Sequence, residues 1–193
     1  MAFGTGDHAT TSTCLRLLVD IGRERDPGWS CADLGCGTGL VGVALTPLVA
    51  QLVGVDLSGR MLERAQARQV YQRLVQDDVV HMMQKETAHS FDLVVAADVF
   101  IYIGHLDETV KEVKRLLLPQ GLLAFSIENL DTSDQSPATE DFRLNSTGRY
   151  SQSRAYLDKL AQQNGFVVRE VHPTVLRVEN GQPVQGSLVI WQA

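Results

Sequence analysis

Three glycines and two aspartates form the pattern in this sequence that is best suited to bind a ligand. The segment ADLGCGTGL places Gly35, Gly37 and Gly39 directly after a short apolar run. Glycine permits positive φ angles and lets a bound molecule approach the backbone closely. Asp56 ends the next apolar run, and a carboxylate there can accept hydrogen bonds from both hydroxyls of a ribose. These residues predict a site for a ligand that contains a ribose.

Two cofactors that contain a ribose compete for this site. Dinucleotide sites use G-x-G-x-x-G, in which a helix N-terminus meets the pyrophosphate, whereas this chain has G-x-G-x-G. Asp33, two residues before the first glycine, is poorly placed beside a pyrophosphate and suits a ligand with an ammonium group. S-adenosylmethionine has a ribose, an ammonium group and no phosphate. The pattern favours this cofactor over NAD, and a glycine-rich turn without a ligand is the remaining alternative.

Runs typical of strands alternate with runs typical of helices along the chain. The sequence predicts strands at Trp29–Leu34, Gln51–Asp56, Leu74–Asp78, Phe91–Ala97, Gly121–Glu128, Phe166–Val178 and Val184–Trp191. It predicts helices at Leu40–Leu48, Gly59–Leu74, Asp107–Leu118 and Ser151–Gln163. This alternation indicates an α/β fold with a doubly wound, mostly parallel seven-stranded sheet and a C-terminal antiparallel hairpin. Ligands of such sheets bind at the carboxyl ends of the strands, where the glycines lie.

We expect a single domain over residues 1–193, because the sequence shows no internal repeat and no linker. The longest irregular segment covers residues 129–150. A loop of this length is either a lid over a functional site or a disordered excursion. Its side chains that could contact an acceptor are Arg143, Asn145, Arg149 and Tyr150.

Composition argues against several classes of protein. A formal net charge of −6 argues against a surface built to bind nucleic acid. No apolar run is long enough to span a membrane, and the first residues lack the pattern of a signal peptide. Neither the three cysteines nor the five histidines have the spacing of metal ligands. We expect a cytoplasmic monomer or homodimer that binds no metal, no nucleic acid and no membrane.

Five segments resemble the class I S-adenosylmethionine-dependent methyltransferases. In chain order they are ADLGCGTGL, VGVDLS, QDDVV, FDLVVAADVFIYIGHL and LLLPQGLLAFS. The resemblance extends from about Trp29 to the end of the chain and implies a Rossmann-like fold. Two further segments, FRLNSTGRYSQSRAYLDKLAQQNGFVV and VLRVENGQPVQGSLVI, are similar to a bacterial subgroup often fused to tetratricopeptide repeats. The acceptors of that subgroup are poorly defined, so the resemblance implies a cofactor and no particular acceptor.

The first residues resemble a second subfamily. AFGTGDHATTSTCL is similar to the segment that precedes the first strand in bacterial ribosomal-protein lysine methyltransferases. This resemblance implies that residues 1–28 form a segment and a helix that cover the cofactor, with Thr11 in contact with it. The chain departs from that subfamily in its fourth-strand motif, where Ala97 and Asp98 stand in place of an initial asparagine. Natural divergence, truncation and an engineered joining all stay open as explanations.

The resemblance also implies which residues hold the methionine part of the cofactor. The backbone of the glycine loop would lie against it, and these residues are Gly35, Cys36, Gly37 and Gly39. Asp33 would lie near the ammonium group, directly or through water.

The nucleoside part of the cofactor is assigned in the same way. Asp56 would hold the ribose, and Leu57 would flank the adenine. Asp78 and Val79 would bracket the adenine, with the carboxylate accepting from its exocyclic amine. Asp77 is the alternative to Asp78, because the register of a sequence-based assignment is uncertain by about one residue.

Catalysis of methyl transfer needs few dedicated residues. The reaction is an in-line displacement at a carbon that a positively charged sulfur already activates, so the main task is to hold the acceptor close and aligned. A base is required only where the acceptor must lose a proton. Ala97 would face the methyl donor. The candidates for the base are Asp98, Tyr102 and His105, with His8 in the N-terminal cover. The more ordinary alternative for Tyr102 is a packing residue. For His105 it is a residue at the start of a helix that is exposed to water.

The sequence predicts an S-adenosylmethionine-dependent methyltransferase whose acceptor is unidentified. A small molecule is favoured over a nucleic acid, because the fourth strand lacks the Asn/Asp-Pro-Pro-aromatic pattern of enzymes that methylate planar base nitrogens. A protein acceptor is the second substrate class, and the N-terminal segment alone suggests it. A domain that binds the cofactor without catalysis is an alternative of another class.

Overall fold

The computed structural model of the protein describes residues 28–130, 140–179 and 181–193. The predicted cofactor cover, with Thr11 and His8, lies outside the described residues apart from Gly28. Residues 131–139 of the predicted lid also lie outside them.

The described residues contain nine β-strands that belong to one sheet. They are β1 (Trp29–Leu34), β2 (Val49–Asp56), β3 (Arg73–Gln76), β4 (Phe91–Ala96), β5 (Leu117–Asn129), β6 (Phe142–Leu144), β7 (Tyr150–Gln152), β8 (Val167–Glu179) and β9 (Gln182–Gln192). The described α-helices are α1 (Leu40–Leu45), α2 (Gly59–Ala67), α3 (Val79–Lys85), α4 (Asp107–Leu116) and α5 (Arg154–Gln163). A single 3₁₀ turn spans Phe100–Tyr102.

Seven of these strands form the main sheet, in the order β3-β2-β1-β4-β5-β9-β8. The first five are parallel, and β9 runs antiparallel to both β5 and β8. The strand order reverses at β1, which pairs with β2 on one side and with β4 on the other. This is the doubly wound sheet with a C-terminal hairpin that the sequence predicts, and the reversal marks the place where such sheets bind ligands.

Strands β6 and β7 form a small hairpin that the sequence analysis did not predict. Strand β4 ends opposite Phe125 of β5, and β7 takes its place beside Glu128 and Asn129. The side chain of Gln152 then donates from Nε2 to the carbonyl oxygens of Phe100 and Ile103. Strands of three residues are too short to show a period of two. The segment predicted to be irregular is therefore partly a hairpin that supports the 3₁₀ turn.

The sheet is buried on both faces. In β4, Val94 and Ala96 contribute to one apolar cluster, whereas Leu93 and Val95 contribute to the other. A strand covered on both faces has no need for polar residues, which explains the apolar run from Leu93 to Ala97. The ends of the central strands are thus held rigidly, and the loops that follow them can position a site.

Several helices differ from the prediction in their bounds, and one helix was not predicted. Helix α1 ends at Leu45, three residues before its predicted end. Helix α2 ends at Ala67, because Gln69 adopts a left-handed φ of 55° that a helix cannot continue through. Helix α3 was missed, although Asp78 caps it by accepting from the backbone nitrogens of its first turn. Helix α5 begins after Ser153, whose hydroxyl accepts from Tyr156 N, and the residues before it belong to β7.

Candidate functional site

A cavity of about 610 Å³ lies at the switch point of the sheet, within the size range of small-molecule sites. Its walls come from the loops that follow β1, β2 and β4, from the start of α3 and from β8. The lining residues are Gly35, Cys36, Gly37, Thr38, Leu40, Val41, Asp56, Leu57, Ser58, Met61, Asp78, Val79, Ala97, Asp98, Val99, Tyr102, Ile103, Leu176 and Arg177. Most of the residues predicted from the sequence are therefore brought together in one space.

The three glycines of the loop adopt left-handed backbone conformations, with φ of 62° at Gly35, 54° at Gly37 and 81° at Gly39. A Cβ atom at Gly35 would lie 2.5 Å from Cγ2 of Val99, so this glycine is required by packing. A Cβ atom at Gly37 would meet nothing nearer than a carbonyl oxygen at 3.9 Å. Because Gly37 lines the cavity, the loop leaves open space there that fits a ligand close to the backbone.

The carboxylate of Asp56 joins the glycine loop to the loop after β2. Its Oδ2 accepts from the backbone nitrogen of Gly37 at 2.9 Å, and its Oδ1 accepts from that of Ser58 at 2.8 Å. Each carboxylate oxygen keeps further acceptor capacity, so these bonds orient the group without exhausting it. Asp56 is thus fixed at the edge of the cavity in a position that can accept hydrogen bonds from ribose hydroxyls.

Asp33 is separated from the other predicted residues. It is 1% exposed, it is not among the residues that line the cavity, and Tyr71 donates a hydrogen bond to its Oδ2 at 2.6 Å. Burial raises the pKa of this carboxyl to about 7, the nearby charge of Asp56 also raises it, and the bond from Tyr71 lowers it. Room for the tyrosine ring comes from Gly42 and Gly54, where Cβ atoms would clash with it. The ammonium-binding role of Asp33 stays a prediction.

The residues predicted to contact the adenine also line the cavity, and these are Leu57, Asp78 and Val79. Asp78 uses its Oδ1 to cap α3. Asp77 is not a lining residue and pairs with Lys85 Nζ at 2.9 Å. That bond is the main reason why the pKa of Asp77 falls to about 2. Of the two alternatives left open by the sequence, the geometry favours Asp78.

Of the candidate bases within the described residues, two lie on the wall of the cavity beyond the glycine loop. Asp98 and Tyr102 line the cavity next to Ala97, whereas His105 does not, and the side chain of His105 is 82% exposed. Asp98 has a left-handed φ of 62°, which is uncommon for a residue other than glycine. Its backbone nitrogen donates to the hydroxyl of Ser126 at 2.8 Å. Such strained residues cluster at functional sites, which supports Asp98 over His105.

Leu176 and Arg177, which were not among the predicted site residues, reach the same wall of the cavity from β8. Arg177 forms a buried ion pair with Glu128 of β5, and its Nη1 lies 3.8 Å from Oδ1 of Asp98. The available signal was an arginine between apolar neighbours within a predicted strand, since a charge there must be paired or functional. We call this part of the cavity, lined by Ala97, Asp98, Tyr102, Leu176 and Arg177, the acceptor end.

Arg149 stands behind this wall. Its side chain pairs with Glu179 and hydrogen bonds to the hydroxyl of Tyr102. Burial raises the pKa of Tyr102. Arg149 was noted in the sequence only as a residue of the long loop, and the hairpin of β6 and β7 is what brings it to the site.

Comparisons with known proteins agree with this architecture. Residues 32–125 match the family model described as a methyltransferase domain. The ribosomal protein L11 methyltransferase of Vibrio cholerae is 34% identical over 141 residues, which are 72% of this chain and 45% of that protein. The chain thus spans about half the length of the curated relatives that it matches.

Two solved structures show the same fold. A SAM-dependent methyltransferase from Methanosarcina mazei has a TM-score of 0.70 at 16% identity, over 90% of this chain and 96% of that one. Magnesium protoporphyrin IX methyltransferase from Synechocystis PCC 6803, solved with bound SAM, has a TM-score of 0.65 at 20% identity. The match covers 95% of this chain and 77% of that one.

Residues 32–125 thus form a methyltransferase domain, and the chain has the fold of the class I S-adenosylmethionine-dependent methyltransferases. This confirms the class of enzyme and the fold that the sequence predicts. The similarity to ribosomal protein L11 methyltransferases also agrees with the resemblance of the first residues.

The part of the chain that the structure describes contains neither a membrane-spanning helix nor a group of side chains that could bind a metal ion. None of its helices combines the length and the apolar character that crossing a membrane requires. Within the same residues, no three side chains of His, Cys, Asp or Glu are grouped so that they could hold a metal ion.

Proposed function

We propose that this chain transfers a methyl group from S-adenosylmethionine to a small molecule bound at the acceptor end of the cavity. The observation that carries the proposal is the continuity of the cavity. A single space runs from Asp56 and Leu57, past the open side of Gly37, to Asp98 and Tyr102. A donor and an acceptor could therefore lie end to end within it.

In this proposal the glycine loop and two aspartates hold the donor. Gly37 offers close approach to the backbone, Asp56 accepts from the ribose, and Asp78 and Val79 contact the adenine. The bound cofactor supplies an electrophilic methyl carbon on a positively charged sulfur. The remaining task of the chain is alignment, and a rigid wall at the ends of β4 and β8 serves it by limiting how the acceptor can lie.

Asp98 is our candidate for the proton acceptor, because it lies at the acceptor end and is hydrogen bonded there through its backbone. Its carboxylate would take the proton of an acceptor hydroxyl as the oxygen bonds to the methyl carbon and the bond from that carbon to sulfur breaks, leaving S-adenosylhomocysteine. Tyr102 would position the acceptor, since its ring lines the same wall and its hydroxyl is engaged with Arg149. His105 has no part in this proposal.

A small acceptor is favoured because the acceptor end is part of one cavity whose volume suits small molecules. Within the described residues, the 3₁₀ turn and β8 line this end, and the Gln152 side chain supports the turn. The names of the solved neighbours include a methyltransferase for magnesium protoporphyrin IX, a small molecule. The names of the curated relatives favour a protein acceptor, which is the second candidate.

The test uses S-adenosylmethionine with a tritiated methyl group. The protein is incubated with a bacterial extract that has been divided by dialysis into small molecules and macromolecules. The proposal expects label in the small-molecule fraction, reduced in Asp98→Asn and unchanged in His105→Asn, the matched control. Label that enters only proteins would favour the second candidate. Binding of S-adenosylhomocysteine without transfer to either fraction would favour a scaffold.

A further inference from the structure

Arg177 brings a buried cation with unused hydrogen-bond donors to the acceptor end. Its side chain is 8% exposed, and Nη2 donates to the buried carboxylate of Glu128. Nη1 and Nε are also buried, and neither makes a hydrogen bond to a described residue. A buried charged donor without an acceptor is costly, so an oxygen atom that reaches it gains binding energy from a bond that the chain itself leaves unmade.

The two carboxylates that face these nitrogens stand beyond hydrogen-bond reach. Oδ1 of Asp98 lies 3.8 Å from Nη1, and Oε1 of Glu179 lies 3.6 Å from Nε. Glu179 is already bonded to Arg149. The side chain of Asp98 is 41% exposed, so water screens its charge, whereas the guanidinium of Arg177 is shielded from water. An anion at this place would feel the buried cation more strongly than the screened carboxylate.

We infer that the acceptor is a small molecule with a carboxylate group, which Nη1 of Arg177 binds at the acceptor end of the cavity. This inference rests on the proposed function and names the substrate class of that same site. Glu128 already accepts from Nη2, so the donor offered to the acceptor is Nη1, whose N–H groups bond to no described residue. A phosphate would bring a second negative charge close to Asp98, Glu128 and Glu179, which makes a carboxylate the better match.

Arg149 adds a second guanidinium, paired with Glu179, next to this wall. Its Nε is likewise buried and makes no hydrogen bond within the described parts of the chain. It contacts the hydroxyl of Tyr102, which lines the cavity beside Asp98. The wall therefore combines two guanidinium groups, each paired with a glutamate, with a phenol and the half-exposed carboxylate of Asp98. The buried N–H donors that these pairs leave unbonded suit a carboxylate on an apolar or aromatic body, whereas a cationic acceptor has no use for them.

The experiment measures binding of matched probes to the protein saturated with S-adenosylhomocysteine. The probes are benzoate against benzamide and hexanoate against hexanamide, and ligand-observed NMR reports their dissociation constants. The variants are Arg177→Gln and the paired Glu128→Gln/Arg177→Gln. The single variant leaves the carboxylate of Glu128 buried without its partner and could unfold, whereas the paired variant removes both buried charges. Arg169→Gln is the matched control, because Arg169 is an exposed arginine of the same strand.

We expect each carboxylate to bind the wild type about tenfold more tightly than its amide, as a charge-assisted hydrogen bond implies. The preference should disappear in both Arg177 variants and persist in Arg169→Gln. Equal binding of acid and amide to the wild type, or a preference that survives in the paired variant, would overturn the inference. A carboxylate preference together with label found only in proteins would instead refute the proposed function and leave the anion site standing.

Discussion

The hydroxyl of Tyr71 donates a hydrogen bond to Oδ2 of Asp33 at 2.6 Å, and the carboxylate is almost completely buried. Asp33 lies near the end of β1, in the centre of the sheet, where β1 pairs with β2 on one side and β4 on the other. Gly42 and Gly54 leave the space that the tyrosine ring fills. The acidic residue next to the glycine loop is therefore also part of the packing that supports the loop.

The burial of Asp33 makes the stability of the fold depend on pH. The pKa of its carboxyl is about 7 in the folded chain, against an ordinary value of 3.8. Since the folded pKa is raised, the favourable contribution is complete below pH 3.8 and is lost as pH rises through 7. We expect Asp33→Asn to gain unfolding free energy relative to the wild type across this range, measured by urea denaturation at several pH values. A difference that stays constant with pH would contradict this.

The glycines of the loop should differ in what they contribute. Gly35→Ala places a Cβ 2.5 Å from Val99, whereas Gly37→Ala meets open space, and both substitutions strain a left-handed backbone. We expect Gly37→Ala to lose about 1–2 kcal/mol of unfolding free energy and most of its affinity for S-adenosylhomocysteine. Gly35→Ala should lose more stability, part of which the double variant with Val99→Ala should restore. Equal stability losses in the two single variants would count against this account.

The buried ion pair of Arg177 and Glu128 leads to a prediction about stability. Arg177→Met leaves Glu128 buried without its main partner, so we expect a loss of about 3–5 kcal/mol of unfolding free energy in urea titrations. The paired change Glu128→Gln/Arg177→Met removes both charges and should recover most of that loss. Arg169→Gln, an exposed change on the same strand, should have little effect. A paired variant no more stable than Arg177→Met would show that the two residues act independently.

Asp98 should affect turnover more than cofactor binding. Asp98→Asn keeps a residue type that tolerates a left-handed φ and removes the proton acceptor. With an acceptor that must lose a proton, we expect kcat to fall by about 10²–10⁴-fold while the affinity for S-adenosylhomocysteine is unchanged. The readouts are initial rates and calorimetry on the same preparations. A variant with undiminished kcat would remove Asp98 from the proposed mechanism.

The parts of the fold that local patterns determine were predictable. Strands buried on both faces appear as continuous apolar runs, and the position of the glycine loop after β1 follows from backbone chirality. The main sheet, its C-terminal hairpin and the cavity at the switch point therefore agree with the sequence analysis. Asp78 marked the start of α3 as a capping residue, so this missed helix could have been found.

The rest of the site depends on contacts between residues that are far apart in sequence. Arg177 meets Glu128 only because β9 pairs with both β5 and β8. Tyr71 reaches Asp33 through space that Gly42 and Gly54 leave open. The hairpin of β6 and β7 pairs with a β5 that extends beyond β4, and its strands are too short to show a period. No local pattern identifies the partners in these contacts, although the charge of Arg177 between apolar neighbours indicates that it has one.

The most direct test of the central claim is a calorimetric titration with S-adenosylmethionine, S-adenosylhomocysteine and NAD. It compares the wild type with Asp56→Ala, and Asp77→Ala serves as the control because Asp77 is not a lining residue. The account predicts that both adenosyl ligands bind the wild type and the control, that NAD does not, and that Asp56→Ala loses at least about tenfold in affinity. Binding of NAD without binding of the adenosyl ligands, or full affinity in Asp56→Ala, would contradict it.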